Sequence, residues 1–130
     1  MRVNFKAINL ALNETWRGYT IEKLAVIEKL IDGYKTGDDG LAEVELGRVN
    51  QHHKHGDVFR AEINLAWSGR RFRSESETGD LYAAIDEAKD ELVREIKTWR
   101  KKQGTIIRRG ARAVKAILRS AASWPPFRRR

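Results

Sequence analysis

The chain has 130 residues, no cysteine and a formal net charge of +8. This length suits one domain with a single hydrophobic core, and the lack of cysteine excludes disulfides and thiolate metal sites. The N-terminal residues hold no long apolar run, which argues against a signal peptide. No segment approaches the roughly 20 apolar residues that a membrane-spanning helix needs. We therefore expect a soluble protein of the cytoplasm.

The positive charge is concentrated at the C-terminus. Eight of the 26 lysines and arginines follow residue 103, whereas no aspartate or glutamate follows Glu95, so residues 1–103 carry 18 cations and 18 acids. A neutral domain with a basic tail is typical of proteins that bind nucleic acid or an anionic membrane surface, although such a tail can also serve solubility alone. We divide the chain into a domain over 1–103 and a tail over 104–130 that is partly helical or disordered.

A strand and a helix are predicted first. Residues 2–8 alternate between apolar and polar side chains, as in a strand with one buried face. Asn13 can cap a helix, and apolar residues then recur at helical spacing until Gly33. Residues 33–40, rich in glycine and aspartate, are predicted to form a loop.

Three further strands are predicted after this loop. Residues 41–49 and 58–67 alternate between apolar and polar side chains, and the second of these segments has the clearest pattern in the chain. The dipeptide Ser-Gly at 68–69 favours a tight turn into a last strand over 70–76.

Residues 80–102 are predicted to form the second long helix. At about 100° per residue, its core stripe consists of Leu81, Ile85, Ala88, Leu92, Ile96 and Trp99. One flank carries Glu87, Glu91 and Glu95, and the other carries Lys89, Lys97 and Arg100. The helix dipole favours acids near the start and cations near the end, but it does not explain this sorting onto opposite flanks.

The element order is therefore β-α-β-β-β-α, followed by the tail. A strand, helix and strand in succession favour a parallel pair joined by a right-handed crossover, and the remaining strands form a meander. Because each strand has one apolar face, both helices should cover one side of a mixed four-stranded sheet. We expect an α+β two-layer sandwich.

The run DLYAAIDEAKDELVREI, at the end of a chain with this element order, resembles the ribosome hibernation promoting factors, also called ribosome-associated inhibitors or subunit interface proteins. The segment NLALNETWRGYTIEKLAVIEKLID agrees with the same family, and the similarity covers about residues 1–102. The resemblance implies a fold similar to a double-stranded RNA-binding domain with an added strand. It also implies binding to small-subunit rRNA in the channel used by mRNA and tRNA, which blocks translation in stationary or stressed cells and protects idle ribosomes.

The resemblance further implies that basic side chains of both helices and of the sheet edge contact this rRNA. The cations that match those of the family are Lys6, Arg17, Lys23, Arg73 and Arg94. Neighbouring and tail cations that would add to the contact are Lys89, Lys97, Arg100, Lys101, Lys102, Arg108, Arg109 and Arg112. The chain departs from the family where Val26, Glu91 and Thr98 replace usual lysines.

The tail departs from both common endings of the family, because it is too short for a dimerisation domain and is basic where other members are acidic. Its apolar residues suggest a short amphipathic helix, which Gly110 weakens. Our hypothesis is that the tail lies along rRNA and becomes ordered on binding, and Trp124 could stack on a base. Attachment to a membrane surface and disorder without function are the alternatives.

No nucleophile motif, phosphate-binding glycine loop or buried acid pair is visible, so we expect no enzyme activity and no cofactor. His52, His53 and His55 are interpreted as a polar turn, because a metal site needs three or four rigidly held ligands. The expected partners are the small subunit and the whole ribosome, bound by a monomer, with no small-molecule substrate and no membrane. The alternatives are another structured-RNA-binding or ribosomal accessory protein, and a protein- or membrane-interaction module that uses the tail.

Overall fold

The structure, a computed structural model, describes residues 1–49 and 56–122, with side chains through Ser120. Within them the elements follow the predicted order: β1 (Arg2–Ile8), α1 (Glu14–Asp32), β2 (Leu41–Val49), β3 (Val58–Trp67), β4 (Arg70–Thr78) and α2 (Leu81–Ala122). The chain divides into two compact units, Met1–Ile96 and Lys97–Arg130. The first unit contains the sheet, α1 and the first part of α2, and we call it the body.

The sheet has the strand order β1-β2-β3-β4. β1 pairs with β2 in parallel, and the other two pairs are antiparallel. The β3–β4 turn has positive φ angles at both central residues, 54° at Ser68 and 70° at Gly69, as a type I′ hairpin turn requires. The predicted α+β fold, with its mixed sheet and tight turn, is confirmed.

Both helices of the body bury their apolar stripes on one face of the sheet. The large buried side chains of the strands alternate, and they include Val44, Leu46, Ile63, Leu65, Trp67 and Phe72. Those of the helices are Leu24, Ile27, Ile31, Leu81, Ile85, Leu92 and Ile96. Trp99, which was predicted to belong to the core stripe of the second helix, is half-buried.

Two polar contacts position these helices, one at the start of α1 and one between α2 and the sheet. The side chain of Asn13 accepts a hydrogen bond of 2.8 Å from the backbone N–H of Trp16, so the predicted N-cap is confirmed. The buried Ser74 Oγ of β4 donates to the carbonyl of Ala88, at 2.7 Å, and ties α2 to the sheet.

The second helix is longer than the sequence predicts. α2 continues to Ala122, whereas the sequence predicted an end near residue 102 and a separate short helix in the tail. That boundary is wrong. Gly104 and Gly110 lie inside α2, where each costs about 1 kcal/mol relative to alanine, and this cost does not end a helix whose neighbouring residues are mostly alanine, arginine, lysine and isoleucine.

Candidate nucleic-acid interface

The helical side of the body carries a polar cluster between α1 and α2. β1 and β4 point in the same direction, so α1 and α2, which each return across the sheet, run parallel. This brings together Tyr19, Lys23, Tyr82 and Asp86, which we call the interhelix cluster. Tyr19 Oη donates to the Asp86 carboxylate, at 2.8 Å from each oxygen, and its ring packs edge-on against Tyr82 with 4.8 Å between centroids.

Lys23 is held in place by this cluster. Its Nζ lies 3.4 Å from Asp86 Oδ1 and 5.1 Å from the centroid of the Tyr19 ring. The hydrogen bond to Asp86 raises the pKa of Lys23, and a hydrogen bond to the same carboxylate raises the pKa of Tyr19. Lys23 is therefore a positioned cation on the surface, and a phosphate that binds it would share it with Asp86.

The other predicted cations on this side differ in how strongly they are engaged. The Arg17 guanidinium lies 4.9 Å from the centroid of the Phe5 ring and 3.7 Å from Glu14. Lys89 pairs with its neighbour Asp90 and lowers the pKa of that carboxyl. Arg94 is exposed and makes no ion pair with the described part of the chain, so its charge is available to an anion.

The structure places Lys6 and Arg73 on the opposite, open face of the sheet. The strand register aligns Lys6, Glu45, Glu62 and Glu75 in one row across all four strands. Lys6 is exposed and makes no ion pair among residues 1–49 and 56–122. The two cations are thus separated both from each other and from the helix cations.

Arg73 belongs to a network of ion pairs that we call the sheet-face cluster. Its members are Glu45, Arg60, Glu62, Arg73 and Glu75. Arg60 Nη1 lies 3.4 Å from Glu45 and 3.2 Å from Glu62, and Arg60 Nη2 pairs with Glu75. Arg73 pairs with Glu62 and lies 3.0 Å from Glu75. Burial raises the pKa of Glu62, but the hydrogen bond from Arg73 and the charge of Arg60 outweigh it, so the net pKa is lowered.

Replacing Arg73 by glutamine should weaken the fold more at neutral pH than in acid. The pKa of Glu62 is lowered in the folded state, so its ion pairs stabilise the fold above the ordinary glutamate pKa of about 4.3 and are lost as the pH falls through the lowered value. The variant should therefore show a lower urea midpoint than the parent at pH 7, and the gap should close as Glu62 becomes protonated. Arg71→Gln, an exposed change on the same strand, is the control and should leave the midpoint unchanged at both pH values.

The acidic flank of α2 confines any phosphate contact to the rest of the helix surface. Ser76 of β4 donates to the Glu87 carboxylate, which places this flank beside the last strand. Partial burial and the charge of Glu91 raise the pKa of Glu95. Because this flank carries Glu87, Glu91 and Glu95, it would repel a phosphate.

Six of the nine cations in residues 97–122 lie on one stripe of α2. Residues 97–122 hold nine lysines and arginines and no acid. At about 100° per residue, an arc of about 60° contains Lys97, Lys101, Arg108, Arg112, Lys115 and Arg119. Lys102 and Arg109 lie next to each other beyond one edge of this stripe, and Arg100 lies beyond the other edge. The helix thus aligns four of the seven site cations predicted in this unit.

The opposite side of the same segment is apolar and exposed. The exposed fractions are 62% for Ile106, 67% for Ile107, 57% for Val114, 67% for Ile117 and 64% for Leu118. No helix in the described ranges, 1–49 and 56–122, has the length and hydrophobicity needed to cross a membrane. The segment is therefore an amphipathic helix with one basic and one apolar side.

No metal site is found among the described residues of this interface. The described residues contain no group of three or more histidine, aspartate or glutamate side chains arranged to hold a metal ion. The histidines predicted to form a polar turn, His52, His53 and His55, and the predicted base-stacking residue Trp124 lie outside the described residues.

Comparisons with known proteins agree on one family. The family described as "Sigma 54 modulation protein / S30EA ribosomal protein" matches residues 3–104. Two curated proteins named ribosome hibernation promoting factor, both from Pseudomonas putida, are each 29% identical over 111 residues, which is 85% of this chain and 98% of each relative.

Two solved structures share the fold. The N-terminal domain of Protein Y from Thermus thermophilus is 31% identical, with a TM-score of 0.61 over 76% of this chain and 99% of that one. A ribosomal subunit interface protein from Coxiella burnetii has a TM-score of 0.64 over 78% of this chain and 99% of its own, and at 15% identity this likeness shows the fold alone.

Proposed function

The chain belongs to the sigma 54 modulation protein / S30EA ribosomal protein family of ribosome-associated factors, and on this premise we propose that it is a hibernation factor that occupies the mRNA and tRNA channel of the small subunit. Its body and its C-terminal cations would contact rRNA there. Bound in the channel, it would inhibit translation and protect idle ribosomes in the cytoplasm. The family match supports the resemblance drawn from the sequence over nearly the same residues.

The observation that carries this proposal is the placement of cations on α2. From Arg94 onward the helix bears exposed lysines and arginines, and no acid follows Glu95. Lysine and arginine contacts with phosphate supply most of the affinity of a protein for nucleic acid without regard to sequence. Structured RNA is recognised mainly by its shape, its phosphates and its 2′-hydroxyls, and a helix with aligned cations suits that mode.

The predicted rRNA contacts are expected to contribute unequally. Arg94, with the exposed cations of residues 97–102, should contribute most because the Arg94 side chain is exposed and forms no ion pair with the described residues. Arg17, Lys23 and Lys89 are positioned but partly neutralised. Lys6 is exposed on the open face of the sheet, and Arg73 should contribute least because it would have to leave two carboxylates to bind phosphate. Arg108, Arg109 and Arg112 would extend the contact along α2.

No reaction is part of this proposal. The protein would act by occupying a channel that mRNA and tRNA need, and its chemistry would be limited to ion pairs and hydrogen bonds with RNA. A monomer suffices for that role, and the proposal requires no cofactor.

Sedimentation with purified ribosomes tests the proposal. The protein should migrate with small subunits and whole ribosomes in a sucrose gradient, should not migrate with isolated large subunits, and should be displaced by tRNA and mRNA together. Equal binding to any duplex RNA would instead support a general RNA-binding protein. Binding to large subunits alone, or binding that tRNA and mRNA leave unchanged, would contradict the proposed channel.

A further inference from the structure

The segment over residues 104–122 has an apolar side that the described chain leaves uncovered. Five large aliphatic residues, Ile106, Ile107, Val114, Ile117 and Leu118, are each more than half exposed. They lie within an arc of about 120° on the helix. Isolated exposed apolar residues are ordinary, but a continuous apolar side on one helix marks a binding surface.

Every charged side chain of this segment is a cation. Arg108, Arg112, Lys115 and Arg119 share one stripe, which lies roughly opposite the apolar side, and Arg109 lies beside it. No aspartate or glutamate occurs in residues 96–130. Whatever covers the apolar side must therefore also tolerate, or attract, a dense positive charge.

Three kinds of occupant can be compared on these two features. An RNA would pair with the cations but would leave the five aliphatic side chains in water. A second copy of the segment could cover the apolar side, but the cations would point away from that contact and would gain no anionic partner. An anionic lipid surface satisfies both features, because acyl chains cover the apolar side while phosphate headgroups meet the lysines and arginines.

We propose that residues 104–122 bind an anionic lipid surface as an amphipathic helix that lies in the plane of the membrane. The segment is about 28 Å long at 1.5 Å per residue, and it is not apolar enough to cross a bilayer. The sequence that follows contains Trp124, Phe127 and three arginines at 128–130, and tryptophan and arginine are both frequent at membrane interfaces. The family match ends at residue 104, so this activity adds to the ribosome-associated function and does not depend on it.

Binding of the full chain to lipid vesicles tests the proposal. We expect cosedimentation with vesicles of phosphatidylcholine and phosphatidylglycerol in a 7:3 ratio, no binding to pure phosphatidylcholine, and release at high salt. A double change of Ile107 and Ile117 to serine should reduce the affinity at least about tenfold. A double change of Arg112 and Lys115 to glutamine should reduce it about 25-fold, at roughly fivefold per cation.

The matched control is the double change of Ile21 and Val26 to serine, which alters two aliphatic side chains of α1, each 48% exposed. It should leave vesicle binding unchanged, and far-ultraviolet circular dichroism should show that all variants keep the parent's helix content. Because the substituted side chains are exposed, we expect the variants to keep the fold.

Three results would overturn the proposal. The first is no binding to the anionic vesicles, or equal binding to both vesicle types. The second is a dimer in sedimentation equilibrium that the Ile107 and Ile117 variant abolishes, which would assign the apolar side to a second copy. The third is a loss of ribosome affinity in that variant, which would assign it to the ribosome. Ribosome binding by the parent is measured separately, so failure of the lipid proposal and failure of the proposed function remain distinguishable.

Discussion

Changing Lys97, Arg100, Lys101 and Lys102 together to glutamine should lower the affinity for the small subunit by about two to three orders of magnitude near 0.1 M salt. All four side chains are exposed, and each phosphate contact steepens the dependence of log affinity on log salt by about 0.7–0.9. The slope should therefore become shallower by about three when all four contacts are lost. Filter binding or sedimentation over a series of salt concentrations measures both quantities.

A charge-matched variant separates local contact from net charge. Changing Arg2, Lys29, Lys35 and Arg71 to glutamine also removes four exposed cations, but none of these belongs to the proposed interface. We expect this variant to lose less than about tenfold in affinity, because distant exposed charges are largely screened beyond the Debye length of about 10 Å. Equal losses in the two variants would show that affinity follows net charge, and the proposed contact with α2 would be wrong.

Local patterns in the sequence determine most of the fold. Strict alternation in 2–8 and 58–67 and helical spacing after Asn13 identify β1, β3 and α1, because each pattern reflects a single buried face. The Ser-Gly dipeptide at 68–69 identifies the hairpin because both positions require positive φ. The length of α2 was not predictable in this way, because Gly110 weakens a helix without ending it.

The polar clusters depend on pairings that no local pattern contains. Tyr19 and Asp86 are 67 residues apart, and they meet only because α1 and α2 run parallel on the same face of the sheet. The sequence does contain one pattern related to this cluster. Tyr19 and Lys23 are four residues apart on the first helix, and Tyr82 and Asp86 are four residues apart on the second, so each pair lies on one side of its helix. Such a signal becomes specific only after the helix order is known.

The sequence also could not show whether Arg73 is held in ion pairs or is free to bind phosphate. The sequence shows a cation on an alternating strand, which is equally consistent with a phosphate contact and with an ion pair. The register of β3 against β4 pairs Glu62 with Glu75, and this row supplies the carboxylates that hold Arg73. The predicted site is therefore recoverable from the sequence as a set of charges, but the availability of each charge depends on its neighbours across the sheet.

Shortening Leu92 to alanine should cost about 3 kcal/mol of folding free energy, because the side chain is fully buried between α2 and the sheet. For a body of this size, that loss corresponds to a decrease in Tm of about 10–20 °C. Thermal and urea unfolding followed by circular dichroism would measure it, and the dependence of the unfolding free energy on urea should keep the parent's slope.

Val93→Ala is the matched control on the same helix, since Val93 is half-buried beside the core stripe and should cost about 1 kcal/mol. If the two variants lost equal stability, the assignment of the buried stripe of α2 would be wrong. Ribosome affinity at 25 °C should change less than about twofold in the Leu92 variant, because a domain with an ordinary stability of about 5–15 kcal/mol remains mostly folded after such a loss. A large loss of affinity without unfolding would mean that the inner side of α2 also contacts RNA. An unchanged affinity would show that the inner side of the helix stabilises the fold, whereas its cations bind RNA.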